Sequence, residues 1–287
     1  MTQLVRRALH MASLLGVALL LQHCAGNDQR SMNTSQRQEL DGLEVIRWTT
    51  TQDTSKLEGI VVGFQKRPVM SMLATELLLK EGFLASIVDQ SDMALLREKI
   101  GTGSMDIRTS YGTLPSWREV FKRSIPMGQA LSVNGHGRTT ANQVLQIAAR
   151  GWTTPTESGA CFQIEIATSI LVIDALQEES LGRADRPLGT PIDNTGIETC
   201  LQPNEVLIVL SANQGPFKSG RGPGSESPLP PTAGQFLLGE SSDVQGKETL
   251  VKGVTLLAFV PHMSSSILPS KSSIEKPSAN ATPAVNP

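Results

Sequence analysis

The chain has 287 residues, 39% of them hydrophobic and 18% charged, with a formal net charge of −2. This near-balance leaves no basic surface for nucleic acid, so we expect no nucleic-acid partner. Aromatic residues make up only 4% of the chain, with a single tyrosine, which weighs against a carbohydrate-binding face or a platform for stacking bases.

The first segment, 1–24, has the pattern of an export leader. Arg6 and Arg7 precede an apolar run at 11–21, which is too short for a transmembrane helix of roughly 20 apolar residues. Cys24 follows this run and resembles the lipidated cysteine of a bacterial lipoprotein. The resemblance implies a lipid on Cys24 that anchors the protein in the membrane.

Three fates of the leader stay open. Gln22 and His23 stand where lipoproteins normally have small residues, and the bulk of His23 should hinder a lipoprotein signal peptidase. Ordinary signal-peptide cleavage near Gly26 and an uncleaved leader are the alternatives to lipidation of Cys24. All three predict that the chain from residue 27 lies outside the cytoplasm, in the cell envelope or periplasm.

After the leader, the predicted organisation is a flexible tether, a folded region in two parts, and a tail. The tether and tail are polar and lack hydrophobic periodicity, so neither can bury enough apolar surface to fold. The predicted boundaries are 25–42 for the tether, 43–113 for an α/β unit, 114–263 for a β-rich domain and 264–287 for a disordered tail. The fold class is therefore α+β.

The α/β unit is predicted to be βαβαβ-like, with at least one parallel strand pair joined by a right-handed crossover. Alternating or continuous apolar runs predict strands, and apolar residues at helical spacing predict helices that end at Gly82 and Gly101. In chain order the segments are strand 43–51, strand 59–64, a helix beginning at Pro68, strand 84–89, a short helix from Ser91, and strand 105–111.

The β-rich domain is predicted to be mainly antiparallel. A connector helix at 116–123 precedes strands at 129–133, 142–152, 161–170, 204–212, 235–238 and 248–260. The strongest signal is the hairpin of 142–152 with 161–170. In its second strand Phe162, Ile164 and Ile166 alternate with Gln163 and Glu165, as expected of a half-buried antiparallel strand.

Two cysteines, Cys161 and Cys200, remain after the leader. In an oxidising compartment such a pair favours a disulfide between neighbouring strand ends, although two separate buried thiols stay the alternative.

The sequence predicts no catalytic constellation, no metal site and no cofactor. His136 lies in a glycine turn and His262 follows the last strand, so both are expected at the surface. If the turns at 134–138 and 156–159 flank one hairpin, Glu157 and Ser158 lie at the opposite end of the strand 142–155 from His136. At about 3.3 Å per residue that separation is tens of ångströms.

A Gly/Pro-rich loop at 214–234 is predicted to be mobile and carries Phe217, Lys218 and Arg221. An aromatic residue flanked by cations is typical of a partner anchor, and an unspecialised flexible insertion is the alternative. Export together with the missing catalytic pattern favours a non-enzymatic binding or assembly component of the envelope, with a membrane anchor and an envelope protein as partners. The alternative is an extracytoplasmic hydrolase whose site forms only in the fold.

Overall fold

The computed structural model describes residues 41–101, 105–139, 143–157, 159–172, 187–213, 230–239, 241–242 and 252–263. All of them belong to one compact unit, Glu39–Pro287. Strands account for 56% and helices for 21% of the described residues, so this part of the fold is mainly antiparallel β with few helices.

The described strands and helices follow one another along the chain in this order. They are β1 (Gly42–Thr50), α1 (Thr54–Gly63), α2 (Met72–Lys80), β2 (Phe83–Asp89), α3 (Met93–Ile100), β3 (Met105–Gly112), β4 (Leu114–Ile125), β5 (Ala130–Val133), β6 (His136–Thr139), β7 (Gln143–Thr156), β8 (Gly159–Val172), β9 (Thr190–Pro191), β10 (Ile197–Leu201), β11 (Glu205–Ser211), α4 (Ala233–Leu238), β12 (Ser241–Ser242) and β13 (Lys252–His262).

Sheet A has the strand order β2-β11-β13-β1-β3, with β12 pairing β13, and every neighbouring pair is antiparallel. The first and last described strands are neighbours in it, because β1 pairs β13 from Gly42 opposite His262 to Thr50 opposite Val254. Strands of both predicted parts, 43–113 and 114–263, therefore share one sheet. Their division into two domains stays a prediction.

Sheet A is covered on both faces. Every residue of β11 is buried, which explains why this strand has a continuous apolar sequence instead of an alternating one. Val206, Ile208 and Leu210 pack in a core with α1 and α3. Leu207 and Val209 belong to the second core, which sheet A shares with sheet B, α2 and α4.

Sheet B has the order β10-β8-β7-β4, with β9 added beside β8. The predicted hairpin is confirmed, since β7 and β8 pair without interruption from Gln143 opposite Val172 to Thr156 opposite Gly159. The alternation is also confirmed. Phe162, Ile164 and Ile166 are buried in the core, so the intervening side chains lie on the outer face of sheet B. β5 and β6 form a separate two-stranded sheet.

The predicted strand 59–64 is wrong, because residues 59–63 belong to helix α1 and Phe64 is its C-cap. Asp53 begins the helix, and its side chain accepts a hydrogen bond from the Lys56 N–H. Leu57 and Val61 are fully buried while Val62 is half exposed. Burial at i and i+4 indicates one helical face. This spacing was missed in the sequence because residues 59–63 are small or β-branched.

The predicted βαβαβ-like order is accordingly not confirmed. Residues 42–112 run β1-α1-α2-β2-α3-β3, and β1 pairs β3 in the antiparallel sense. The expected parallel pair is wrong for the described strands, all of whose sheet partners are antiparallel. Helix α2 ends before Gly82 as predicted, but of its expected apolar stripe only Leu78 is buried and Leu73 is 67% exposed.

Two further elements differ from the sequence prediction. The connector helix expected at 116–123 is part of the 12-residue strand β4. The strand expected at 235–238 belongs to helix α4, where Thr232 and Gln235 form a reciprocal capping box. Thr232 lies so close to Gly82 that a Cβ at Gly82 would overlap its hydroxyl, and Gly82 has φ +81°. Local capping and packing therefore override strand propensity in this segment.

Candidate functional site on the outer face of sheet B

The outer face of sheet B carries a cluster of aromatic and charged side chains in the middle of the β7–β8 hairpin. Arg150 lies directly opposite Glu165, and Trp152 lies opposite Gln163. Since directly opposed residues share a face, and the Phe162 face is turned to the core, all four project outward. Trp152 is 38% exposed.

A bulge in β4 brings a second tryptophan to the same place. Leu114 pairs Gly151, but the next pair is Arg118 with Ala149, so β4 spans four residues where β7 spans two. The extra residues include Trp117. Bulges bend a strand and redirect its side chains, and here Trp117 reaches Arg150.

Arg150 contacts both indole rings. Its guanidinium carbon lies 5.0 Å from the ring centre of Trp117 and 5.6 Å from that of Trp152, within the range of a cation–π interaction. Two of the three tryptophans of the chain therefore meet at one cation on one exposed face. We call Trp117, Arg150, Trp152 and Glu165 the Trp–Arg cluster.

Glu165 fixes the orientation of this cation. Its Oε2 atom lies 2.6 Å from one terminal nitrogen of Arg150 and 2.8 Å from Nε. The side chains of Arg150 and Glu165 are 26% and 19% exposed, so the ion pair is partly shielded from water and its charges neutralise each other. The cluster therefore presents flat ring surfaces held by an ion pair, without a net charge of its own.

A groove of about 360 Å3 begins at Trp117 and runs along the same face. Its walls and floor come from β4, β7, the end of β8 and the segment before β9. The lining residues are Trp117, Glu119, Lys122, Ser124, Val144, Gln146, Ala148, Leu171 and Leu188.

Hydrogen bonds preform the floor of the groove. Gln146 is 3% exposed, and its Nε2 donates to Ser169 Oγ at 3.0 Å and to the Leu188 carbonyl at 3.1 Å. At the rim, Lys122 Nζ lies 3.0 Å from a Glu119 carboxylate oxygen. The groove is thus a mixed surface, with apolar patches between polar groups that already have partners.

A second group of polar side chains lies away from this face. Glu81, at the end of α2, is 4% exposed and accepts a hydrogen bond from the Asn134 N–H at 3.1 Å. Asn134 Nδ2 donates to Asp193 at 3.0 Å. Burial raises the pKa of Glu81, the bond from Asn134 opposes that effect, and the nearby Asp193 charge adds to it. Neither Glu81 nor Asp193 lines the groove.

A third polar group stabilises the fold. Glu205, at the start of β11, is 2% exposed and accepts hydrogen bonds from Arg67 and from the Gln202 N–H. Burial raises the pKa of Glu205, but the Arg67 and Gln202 hydrogen bonds and the Arg67 and Lys66 charges outweigh it. The pKa of Glu205 therefore lies below its usual value.

The predicted site residues have different outcomes. Cys24 and the loop residues Phe217, Lys218 and Arg221 lie outside the described residues, as do the tether through residue 40 and the tail from 264. Cys161 and Cys200 are bonded as a disulfide across β8 and β10, with Cα atoms 5.7 Å apart.

The two described histidines lie at the surface. His136 is exposed, and His262 Nε2 lies 3.4 Å from a Glu44 carboxylate oxygen. Within the described ranges no group of three or more His, Cys, Asp or Glu side chains is arranged to hold a metal ion. In the same part of the chain, no helix has the length and apolar character needed to cross a membrane.

Sequence reasoning missed the Trp–Arg cluster. Arg150 and Trp152 share the period-two face of Gln146 and Ala148, so the outward direction of β7 could have been recognised from the alternation of its hairpin partner. Trp117 could not, because it lay in a segment predicted to be helical. Its contact with Arg150 depends on a bulge that no local pattern specifies.

No protein family, curated protein or solved structure gives a significant match to this chain.

Proposed function

We propose that this protein is a non-enzymatic binding or assembly component of the bacterial cell envelope, which holds a protein partner on the outer face of sheet B. The observation that carries the proposal is the Trp–Arg cluster, two partly exposed tryptophans in contact with one ion-paired arginine. Tryptophan and arginine are enriched among the few residues that supply most of the binding energy in protein interfaces.

The chemistry of the face favours an extended polypeptide segment over a phosphate or nucleic-acid ligand. The cations Arg150 and Lys122 are already neutralised by Glu165 and Glu119, so little positive charge is left for a polyanion. The rings offer stacking surface, and the groove offers room for one or two side chains next to it. A segment with an apolar side chain, followed by a planar or cationic one, can fill the groove with the first and stack the second on the rings.

The rest of the fold serves this face as a support. In this proposal the N-terminal α/β part, 43–113, and the antiparallel β part form one scaffold. The Glu205–Arg67 network and the Cys161–Cys200 bridge hold its edges. The tether 25–42 then separates the binding face from the membrane, to which a lipid on Cys24 or the uncleaved leader attaches the chain.

The anchor is tested by the intact mass of the protein from membrane fractions of cells that make the wild type or Cys24→Ala. A diacylglyceryl increment on a chain beginning at Cys24, absent from the variant, supports the lipid anchor. A lipid-free chain beginning near Asn27 in both preparations refutes it and leaves a soluble periplasmic protein.

The binding face is tested by a photo-crosslinking amino acid at Trp152, with the same amino acid at Val62 as the matched control. Val62 is 50% exposed on helix α1, and sheet A separates this helix from sheet B. We expect a partner adduct from position 152 that is missing from position 62. Identical adducts from both positions would contradict the proposal.

The affinity of the partner so identified then gives a quantitative test. Truncation of a central interface aromatic typically costs 2 kcal/mol or more, so Trp117→Ala and Trp152→Ala should each weaken binding roughly 30-fold or more. Val62→Ala should leave it unchanged. If both tryptophan variants bind like the wild type, the Trp–Arg cluster is not the binding site.

A second candidate function is an extracytoplasmic hydrolase, and the observation that favours it is the pair Glu81 and Asp193. Glu81 is a buried carboxyl with a raised pKa, as a general acid requires, and Asn134 links it to a second carboxylate. Hydrolysis of glycoside or ester substrates that is lost in both Glu81→Gln and Asp193→Asn, with partner binding unchanged, would establish this candidate. Equal rates in the wild type and both variants would refute it.

A further inference from the structure

Strand β3 lies at one edge of sheet A, and β2 lies at the other. β3 pairs β1 in an unbroken register from Ser110 opposite Glu44 to Met105 opposite Thr49, and no strand among the described residues pairs with its other side. Residues 107–110 are exposed. Such an edge leaves a row of backbone N–H and C=O groups ready to pair with another strand.

One edge strand of sheet B, β4, is protected in a way that β3 is not. β4 follows β3 directly in the chain, but its register with β7 shifts twice, between Leu114 and Arg118 and between Glu119 and Phe121. Bulges of this kind twist an edge away from regular pairing. Regular strand addition is therefore favoured at β3 over β4.

The side chains of β3 carry opposite charges two residues apart. Asp106 and Arg108 project from the same face, and Ile107 projects from the other, where it is 38% exposed. Asp106 lies 3.2 Å from Arg97 and 3.6 Å from Arg108 Nε. Its Oδ1 atom is buried and accepts no hydrogen bond from the described residues.

We propose that β3 pairs with β3 of a second copy of this chain, in the antiparallel sense and with the twofold axis at Ile107. In this register Asp106 of each copy lies directly opposite Arg108 of the other, and the two Ile107 side chains lie against each other. Twofold symmetry makes each contact occur twice, so two charge pairs form between the copies.

Charge selects this register over its neighbours. A twofold axis perpendicular to the sheet keeps the helix-covered faces of both copies on one side, and it must pass through a residue position. Centred on Asp106 it would oppose two aspartates, and centred on Arg108 it would oppose two arginines. Directly opposed like charges destabilise a strand pair and opposite charges stabilise it, so the register centred on Ile107 is preferred.

The first test is disulfide trapping of the purified full chain carrying Cys24→Ala, in which Ile107→Cys provides one free thiol beside the bonded Cys161 and Cys200. A residue on the twofold axis lies within disulfide reach of the same residue in the second copy. The matched control is Thr109→Cys on the same edge. Its two copies would lie about 14 Å apart along the strands, at about 3.4 Å per residue over four residues.

Mild oxidation should give at least about tenfold more covalent dimer with Ile107→Cys than with Thr109→Cys, since a disulfide needs Cα atoms within about 7 Å. Equal yields from the two positions would overturn the proposal, because they would indicate random collisions.

The second test changes the charges at positions 106 and 108 of the uncrosslinked full chain. Self-association is measured by sedimentation velocity. In a dimer of Arg108→Asp alone, the four side chains at positions 106 and 108 are all acidic, and in a dimer of Asp106→Arg alone they are all basic. Each variant should therefore weaken self-association at least about tenfold. A mixture of the two variants restores both charge pairs and should form a heterodimer. Thermal unfolding of each variant verifies that it is folded.

Undiminished self-association of Arg108→Asp, or a mixture of folded variants that stays monomeric, would overturn the proposed register. A wild type that remains monomeric at the highest soluble concentration would overturn the self-pairing altogether.

Discussion

Replacement of Arg67 by alanine would remove most of the hydrogen bonds and positive charge that stabilise the buried carboxylate of Glu205. Arg67 Nη2 lies 2.7 Å from Glu205 Oε2, and Nε lies 3.1 Å from Oε1. The same Nη2 donates to the carbonyl of Cys200 at 2.6 Å. Without these bonds, the described partners left to the carboxylate are the Gln202 N–H at 2.9 Å and the Lys66 ammonium at 3.7 Å.

The expected loss is about 3 kcal/mol of unfolding free energy. Breaking a buried ion pair by removing one partner costs about 3–5 kcal/mol, and the lower end applies because the Arg67 side chain is 35% exposed while that of Glu205 is 2% exposed. With a urea m-value of about 3 kcal/mol/M for a domain of this size, the unfolding midpoint should fall by roughly 1 M.

Urea titrations followed by far-ultraviolet circular dichroism give this difference directly. Lys66→Ala is the control, because Lys66 is 41% exposed and an exposed ion pair contributes little to stability. The double variant Arg67→Ala/Glu205→Gln should recover part of the loss, since it removes the unpaired charge. If Arg67→Ala unfolds at the same urea concentration as Lys66→Ala, the reasoning about the buried carboxylate is wrong.

The same network predicts a pH dependence. The pKa of Glu205 is lower in the folded state than its usual value, so the ionised carboxylate stabilises the fold above the usual carboxyl range. That contribution is lost as the pH falls through the lowered pKa. The difference in stability between wild type and Arg67→Ala should therefore shrink when the titration is repeated in increasingly acidic buffer.

Three other positions give independent predictions. Gly151→Ala should cost about 1–3 kcal/mol by overpacking, because a Cβ there would lie 2.5 Å from Phe162 Cε1; urea unfolding measures it. Glu81→Gln should raise the stability at neutral pH, because burial disfavours the ionised carboxyl. The raised pKa of Glu81 means that its contribution falls as the pH rises, so the gain should vanish at pH values below the usual carboxyl pKa. Reduction of the Cys161–Cys200 bridge, which spans 39 residues, should cost about 4 kcal/mol in the chain-entropy model, seen as a lower thermal midpoint with a reductant.

Each of these has its own control. Gly196→Ala should be neutral, since nothing lies within 4 Å of a Cβ at that position, and a loss equal to that of Gly151→Ala would implicate glycine flexibility instead of Phe162. A gain for Glu81→Gln that persists in acid would exclude titration of that carboxyl as its cause. An unchanged thermal midpoint on reduction would mean that the bridge does not constrain the unfolded chain.

The hairpin of β7 and β8 was predictable because one of its faces is buried and the other is not. A period of two then appears in the residue types themselves, with Phe162 and Ile164 alternating with Gln163 and Glu165. The central strand β11 was predictable for the opposite reason. Burial on both faces leaves a short continuous apolar run that no amphipathic helix would show.

The errors fall where local propensity and tertiary burial disagree. The β-branched residues Ile60, Val61 and Val62 favour a strand by composition, but Asp53 caps a helix there. Leu57 and Val61 supply the buried face of that helix. Residues 116–123 have the charge pattern of an exposed helix. In the fold they occupy an edge strand, whose solvent-facing side also tolerates charge.

The candidate site was the least predictable feature. Trp117 and Arg150 are 33 residues apart in the sequence, and they meet only because β4 inserts extra residues opposite β7. The disulfide pair was accessible to reasoning, since two cysteines leave one possible pairing. The distance that permits the bond depends on β8 and β10 being neighbours in sheet B.

The pairing of β1 with β13 has a consequence for the order of events in folding. The strand at the start of the described fold finds its partner only after more than 200 intervening residues have been synthesised, from Gly42 to His262. Contacts of such separation are late and slow, because loop closure must precede the gain from pairing. β13 lies between β11 and β1 in sheet A. Until it is available, neither strand has its partner on that side. The chain should thus remain incompletely folded until β13 emerges. During that interval it would depend on factors that cover exposed apolar segments.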